Sequence, residues 1–181
     1  MTRGTCIRLA AGLLLGVAGA AAQEAIETRG AWRVAADGED FALRTQALGA
    51  PESTLSLHCR KAQQAFAFEI KSPALAARPS GEETRVGFKV DDDDQVFLTL
   101  ASGPDGTVPI VHQTAFWIVR DALVRDGAKA VAFTATDQTW QFALDGLAGL
   151  QEGLTQRCGF GPSRPERPRR QTRPEPDPLS R

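Results

Sequence analysis

Between Ala31 and Leu144 the apolar residues recur mostly at every second position, the spacing of half-buried strands whose side chains alternate between core and solvent. Ala31-Trp32-Arg33-Val34 and Phe41-Ala42-Leu43-Arg44 are two short alternating runs on either side of an Asp37-Gly38 turn. Residues 54–59 place Leu55, Leu57 and Cys59 on one face, and residues 65–70 do the same with Phe66, Phe68 and Ile70. The brief connection at 60–64 predicts that these two runs pair as an antiparallel hairpin. Residues 85–90 and 95–100 make a second such pair, turning through Asp91, Asp92, Asp93 and Asp94.

Helical spacing appears only afterwards. Thr114 is placed to cap a helix in which Phe116, Val119 and Leu123 fall at i, i+3 and i+7, ending at Gly127. Two more strands, 130–135 and 139–144, follow across Thr136-Asp137-Gln138. Asp145 is then placed to cap a last helix that carries Leu147, Leu150 and Leu154 on one stripe and stops at Gly159. The expected fold is α+β and β-rich, an antiparallel sheet or sandwich with two covering helices.

The start of the chain obeys neither period. Arg3 and Arg8 lead into an apolar run over residues 9–20 and then Ala20-Ala21-Ala22, the form of a secretory signal cleaved before Gln23. That run is about half of the roughly twenty residues that cross a bilayer, and no other stretch is as apolar, so no transmembrane span is expected in the mature chain. Export changes the meaning of the three cysteines. Cleavage removes Cys6 and leaves Cys59 and Cys158, an even pair in an oxidising compartment, where thiols pair. Cys158 falls in the last turn of the final helix, so a Cys59–Cys158 disulfide would tie that helix to a strand. The loop it closes has about 100 residues, for which the chain-entropy estimate is roughly 4–5 kcal/mol. A redox or metal role for the pair lacks any C-x-x-C spacing or neighbouring ligand.

Residues 23–160 are enough for one domain with a real core and too few for two. They hold thirteen Lys and Arg against nineteen Asp and Glu, so the near-neutral total hides an acidic body. Residues 161–181 are the opposite, with six arginines against three acids, six prolines, and Leu179 as the only large apolar side chain. Such a segment buries too little surface to offset the entropy of ordering, which predicts a disordered tail, partly in polyproline II form. Arg164, Arg167, Arg169, Arg170 and Arg173 are candidate contacts for an envelope protein or an anionic envelope component, although composition alone favours a plain solvated end. Nucleic acid is not an expected partner for an exported chain of this modest charge.

Asp91, Asp92, Asp93 and Asp94 offer oxygen ligands that could suit calcium, but the run lacks the D-x-D-x-D-G spacing with a later glutamate. Its place between two strands favours a solvated turn, because aspartate supports turns through local hydrogen bonds. His58 and His112 are the only histidines, and His58 lies on the strand face opposite Leu57 and Cys59. G-x-S-x-G, G-x-G-x-x-G, P-loop and H-E-x-x-H patterns are all missing, so neither enzyme activity nor a cofactor is expected. The competing class is a small metal-dependent or hydrolytic periplasmic enzyme using His112 or the four aspartates. Trp32, Trp117 and Trp140 are core candidates first. Trp32, beside the first turn, is the best of them as a surface aromatic.

The order of elements resembles a known family. A tryptophan opening into short strands is followed by an L-x-L-x-C strand over Leu55, Leu57 and Cys59, a V-x-F-x-V strand and a polar turn. The closing block is Phe142, Leu144, Gly146, Leu147, Leu150, Leu154 and Cys158. This is similar to the small periplasmic proteins of the VasI/TagO type that accompany type VI secretion, over most of residues 30–160. The resemblance implies a periplasmic accessory or binding protein, with no catalytic residues to carry over. The Pro/Arg-rich tail departs from that pattern.

Overall fold

A computed structural model of the chain describes residues 25–111 and 113–161. The strands, in chain order, are Ala25–Arg29 (β1), Trp32–Asp37 (β2), Asp40–Ala47 (β3), Ala50–Arg60 (β4) and Ala65–Lys71 (β5). Glu83–Val90 (β6), Val96–Ala101 (β7) and Thr107–Ile110 (β8) follow, then helix Gln113–Leu123 (α1), Ala130–Ala135 (β9), Gln138–Ala143 (β10) and helix Leu147–Cys158 (α2). They form two antiparallel sheets, one of six strands in the order β1-β2-β3-β4-β5-β8 and one of four in the order β10-β9-β6-β7. The β-rich architecture with two helices is therefore as the periodicity predicts, and the sheet is divided in two.

Register explains why the larger sheet has an apolar inner face. Val34, Leu43, Leu57, Phe68 and Ile110 stand in one row across β2, β3, β4, β5 and β8, and all five are buried. In the smaller sheet Trp140, Phe133 and Phe88 make a second row, with Phe133 6.1 Å from the rings of both Phe88 and Phe142. One apolar cluster joins both sheets and both helices. Helix α1 enters it through Phe116, Val119 and Leu123, with the Phe116 ring 5.3 Å from that of Phe68, and α2 through Leu147, Leu150 and Leu154.

Several local expectations change. The first turn is Gly38-Glu39 rather than Asp37-Gly38, a shift of one residue with consequences given below. Helix α1 already includes Gln113, so Thr114 sits in its first turn instead of capping it. Asp145 does not cap α2 either; the cap is Gly146, whose φ of 89° lies in the left-handed region that glycine tolerates. Strands β1 and β8 were not legible. Strand β1 is almost wholly exposed and alternates weakly, while β8 is four residues long and contains Pro109, a residue tolerated there because β8 is an edge. The sequence GPSRPERPRRQTRPEPDPLSR beyond Phe160, expected to be a disordered tail, lies outside the described residues apart from Gly161, as do residues 1–22, expected to be a secretory signal.

Candidate functional site

Cys59, fully buried in β4, is bonded to Cys158 in the last turn of α2, with Cα atoms 6.3 Å apart and a sequence separation of 99. Helix α2 thus ends on a middle strand of the larger sheet. Gly159 closes it in the left-handed region, its N–H donating to the carbonyls of Thr155 and Gln156. The other end of α2 is held equally closely. Ala31 N–H donates to the Asp145 carbonyl at 3.3 Å, and a side chain on Gly146 would run into the Arg29 backbone. Trp32, entirely buried, donates from Nε1 to the Ala143 carbonyl at 2.9 Å and so joins the two sheets. It is a packing residue, not a surface platform.

The four aspartates form the β6–β7 turn. Asp91 has φ 49°, and its carboxylate accepts from the backbone N–H of Ala130 at 2.9 Å and of Lys129 at 3.1 and 3.2 Å. Those two N–H groups, Ala130 first, hold the Asp91 carboxyl below its ordinary value, helped by the nearby Arg125 and Lys129 charges. Asp93 pairs with Arg125 at 2.7 Å. Among the described residues no group of three or more His, Cys, Asp or Glu side chains is arranged to hold a metal ion. The run therefore spends its first carboxylate on the β6–β9 junction and its third on an arginine.

His58 lies on the outer face of the six-stranded sheet, its Nε2 3.7 Å from Oε1 of Glu69. It is in a different sheet from the aspartate turn, so the structure does not assemble those two groups into one centre. His112 and Arg164, Arg167, Arg169, Arg170 and Arg173 lie outside the described residues. Trp117 is half-buried on α1 with the Arg120 guanidinium 5.0 Å from its ring, and Trp140 is buried in β10.

A site that periodicity did not reveal lies at the end of the larger sheet. Arg33 on β2 stands directly opposite Arg44 on β3, both on the outer face, with Thr28 of β1 opposite Arg33 on its other side. Together with Gln46, Leu48 and Pro51 they line a cleft of about 420 Å³ between the β1–β2 turn and the β3–β4 hairpin. Leu48 N–H donates to the Gln141 carbonyl at 2.7 Å, which fixes that hairpin against β10. The signal for the Arg33–Arg44 pairing was the β2–β3 turn. A two-residue turn at Gly38-Glu39 makes Arg33 face Arg44, whereas one at Asp37-Gly38 makes it face Ala42.

No family model, curated protein or solved structure matches this chain.

Proposed function

We propose that this chain is an exported accessory or protein-binding protein of the cell envelope, working in the periplasm by contact and not by catalysis. The observation that carries this reading is the Cys59–Cys158 bond, since a disulfide between buried residues on two elements belongs to an oxidising compartment. Among the described residues no helix is long and apolar enough to cross a membrane. A protein-binding role draws support from β7, whose backbone pairs only with β6 among the described strands and whose Val96 and Phe97 are 39% and 50% exposed. Such an edge can accept an extended segment from another chain. The VasI/TagO-type resemblance extends the proposal to association with a secretion system, and the arginines of the tail extend it to an anionic envelope component.

Mass spectrometry of the protein from a fractionated producing cell tests the reading. The expected result is a periplasmic chain beginning at or near Gln23, with the Cys59 and Cys158 peptides joined and two hydrogens lighter. A full-length cytoplasmic chain with free thiols at both positions overturns it. Crosslinking in intact envelope then identifies the partner, and deletion of residues 161–181 with envelope association unchanged removes the tail from the proposal.

A further inference from the structure

Building on the protein-binding reading above, we infer that β7 is where a partner protein adds a strand, and that the segment it accepts is extended, apolar at alternate positions and flanked by lysine or arginine.

The four sheet edges are not alike. Strand β1 carries Glu27 and Arg29 and has an irregular register between Ala25 and Glu27. Strand β8 is four residues long and contains Pro109, which has no N–H to offer. Strand β10 is met by the β3–β4 hairpin, whose Leu48 N–H donates to the Gln141 carbonyl. Charge, irregularity, brevity, proline and cover are the devices that keep sheet edges from pairing with other chains. Strand β7 has none of them: its six residues, VFLTLA, hold no charge, proline or glycine and keep an unbroken register with β6. Among the described residues no backbone hydrogen bond joins residues 96–101 to anything but β6, so alternate residues turn their N–H and C=O groups outward.

The side chains of β7 suit an added strand on both faces. On the core side Val96 is 39% exposed and Leu98 only partly covered, so the core is open along this edge and apolar residues of a further strand would close it. On the outer side the Phe97 ring lies over Gly87, where a Cβ would meet it at 3.0 Å, and the Arg85 guanidinium is 4.0 Å from the ring. An exposed aromatic already held in place has little freedom left to lose on binding.

Charge selects the occupant. Asp92 and Asp94 precede the strand, Glu83 stands opposite Ala101, and Asp105 follows just beyond. All four are exposed, and none has a side-chain hydrogen bond or ion pair among the described residues. A second copy would bring the same carboxylates to this edge, whereas a segment with cationic ends meets opposite charge at both ends of β7. The chain's own tail is basic, but prolines interrupt it, and its longest proline-free run, residues 169–173, has no apolar side chain.

Fluorescence anisotropy on the chain from Gln23 to Arg181 tests this with labelled peptides in which valines alternate with threonines between paired lysines or, as control, paired glutamates. The lysine peptide is expected to bind about tenfold or more tightly than the glutamate peptide, with affinity falling as salt rises. Proline in place of its middle valine should abolish binding, and hydrogen exchange at the amides of residues 96–101 should slow when the lysine peptide is present. Phe97→Ala is expected to weaken the lysine peptide about tenfold. Asp92→Asn with Asp94→Asn leaves the strand intact and should weaken it about threefold while flattening the salt dependence. No binding of the lysine peptide, equal binding of the glutamate peptide, binding of the proline peptide, or affinity unchanged in both variants would overturn the assignment. So would a dimer of the free chain that Phe97→Ala makes monomeric, since a second copy would then hold the edge. Envelope crosslinks that persist in Phe97→Ala would place docking elsewhere and leave the accessory reading standing, whereas a wild type that crosslinks to no protein would remove that reading itself.

Discussion

Strands β4 and β7 carry the same apolar alternation and meet different fates. Leu55, Leu57 and Cys59 of β4 are buried to within 1% of their surface, because β3 and β5 flank the strand and α2 is bonded to it. Val96 and Leu98 of β7 point to the same side of their sheet as buried Val86 and Phe88, yet Val96 is 39% exposed and Leu98 only partly covered. On the other face Phe97 is half in water, with the Arg85 guanidinium 4.0 Å from its ring. Apolar pattern thus selects which face of a strand turns inward. How much that burial contributes depends on whether the strand has neighbours on both sides.

The two sheets differ in the same way. The six-stranded sheet is closed by contacts distant in sequence, chiefly the disulfide and the docking of α2 along β1 to β4. The four-stranded sheet is joined by turn chemistry, with the Asp91 carboxylate clamping the start of β9 to the end of β6 and a two-residue turn at Thr136 and Asp137. Removing each device should therefore have a different size of effect.

The largest loss is expected from Cys59→Ser with Cys158→Ser, about 2–5 kcal/mol in the urea unfolding free energy, because the unfolded chain regains the freedom of the closed loop. A double variant as stable as the wild type would remove α2 docking from the account of the larger sheet. Leu57→Ala should cost about 2–5 kcal/mol through the cavity it leaves in the core. Phe97→Ala should cost about 1 kcal/mol or less, since half its surface is already in water. Equal losses at the two positions would break the contrast between β4 and β7.

Smaller effects report on the four-stranded sheet. Thr136 and Asp137 have φ of 51° and 62°, the mirror-image turn that matches strand twist, and a β-branched residue is poorly suited to its first position. Thr136→Asn is expected to raise the unfolding free energy by about 0.5–1 kcal/mol; a decrease would show that the threonine is favourable there for reasons other than backbone shape. Asp91 gives a pH signature. Its folded pKa lies below the ordinary 3.8, so its contribution is full above that pH and fades as acid titrates it through the lowered folded value. Wild type should be the more stable of the pair near neutral pH, and the gap to Asp91→Asn should close as the pH falls below about 4. A gap independent of pH would mean that the carboxylate's charge plays no part in the clamp.

Much of this organisation is written in short-range pattern. Alternation located eight of the ten described strands, and the leucine stripe of α2 with Gly159 at its end located the final helix. The expectation that Cys59 and Cys158 pair agrees with the observed bond. Each miss has a specific physical cause. Strand β8 is hidden by Pro109 at an edge, and the αL conformation of Gly146 answers to the close approach of Arg29, a contact between residues more than a hundred positions apart. The Arg33–Arg44 cleft needed one residue of turn geometry, because moving a hairpin turn by one position changes every partner across it.

By itself, then, the sequence determined which residues form strands and helices and which of their faces are apolar, since these follow from a period of two or of 3.6 along a single element. Tertiary structure alone decided that β4 lies in the middle and β7 at an edge, and that one core is shared by two sheets. It also set the β3–β4 hairpin against β10 to shape the cleft beside Arg33 and Arg44. Those outcomes depend on packing between elements far apart in the chain, where the free energy is set by mutual burial and not by any local period.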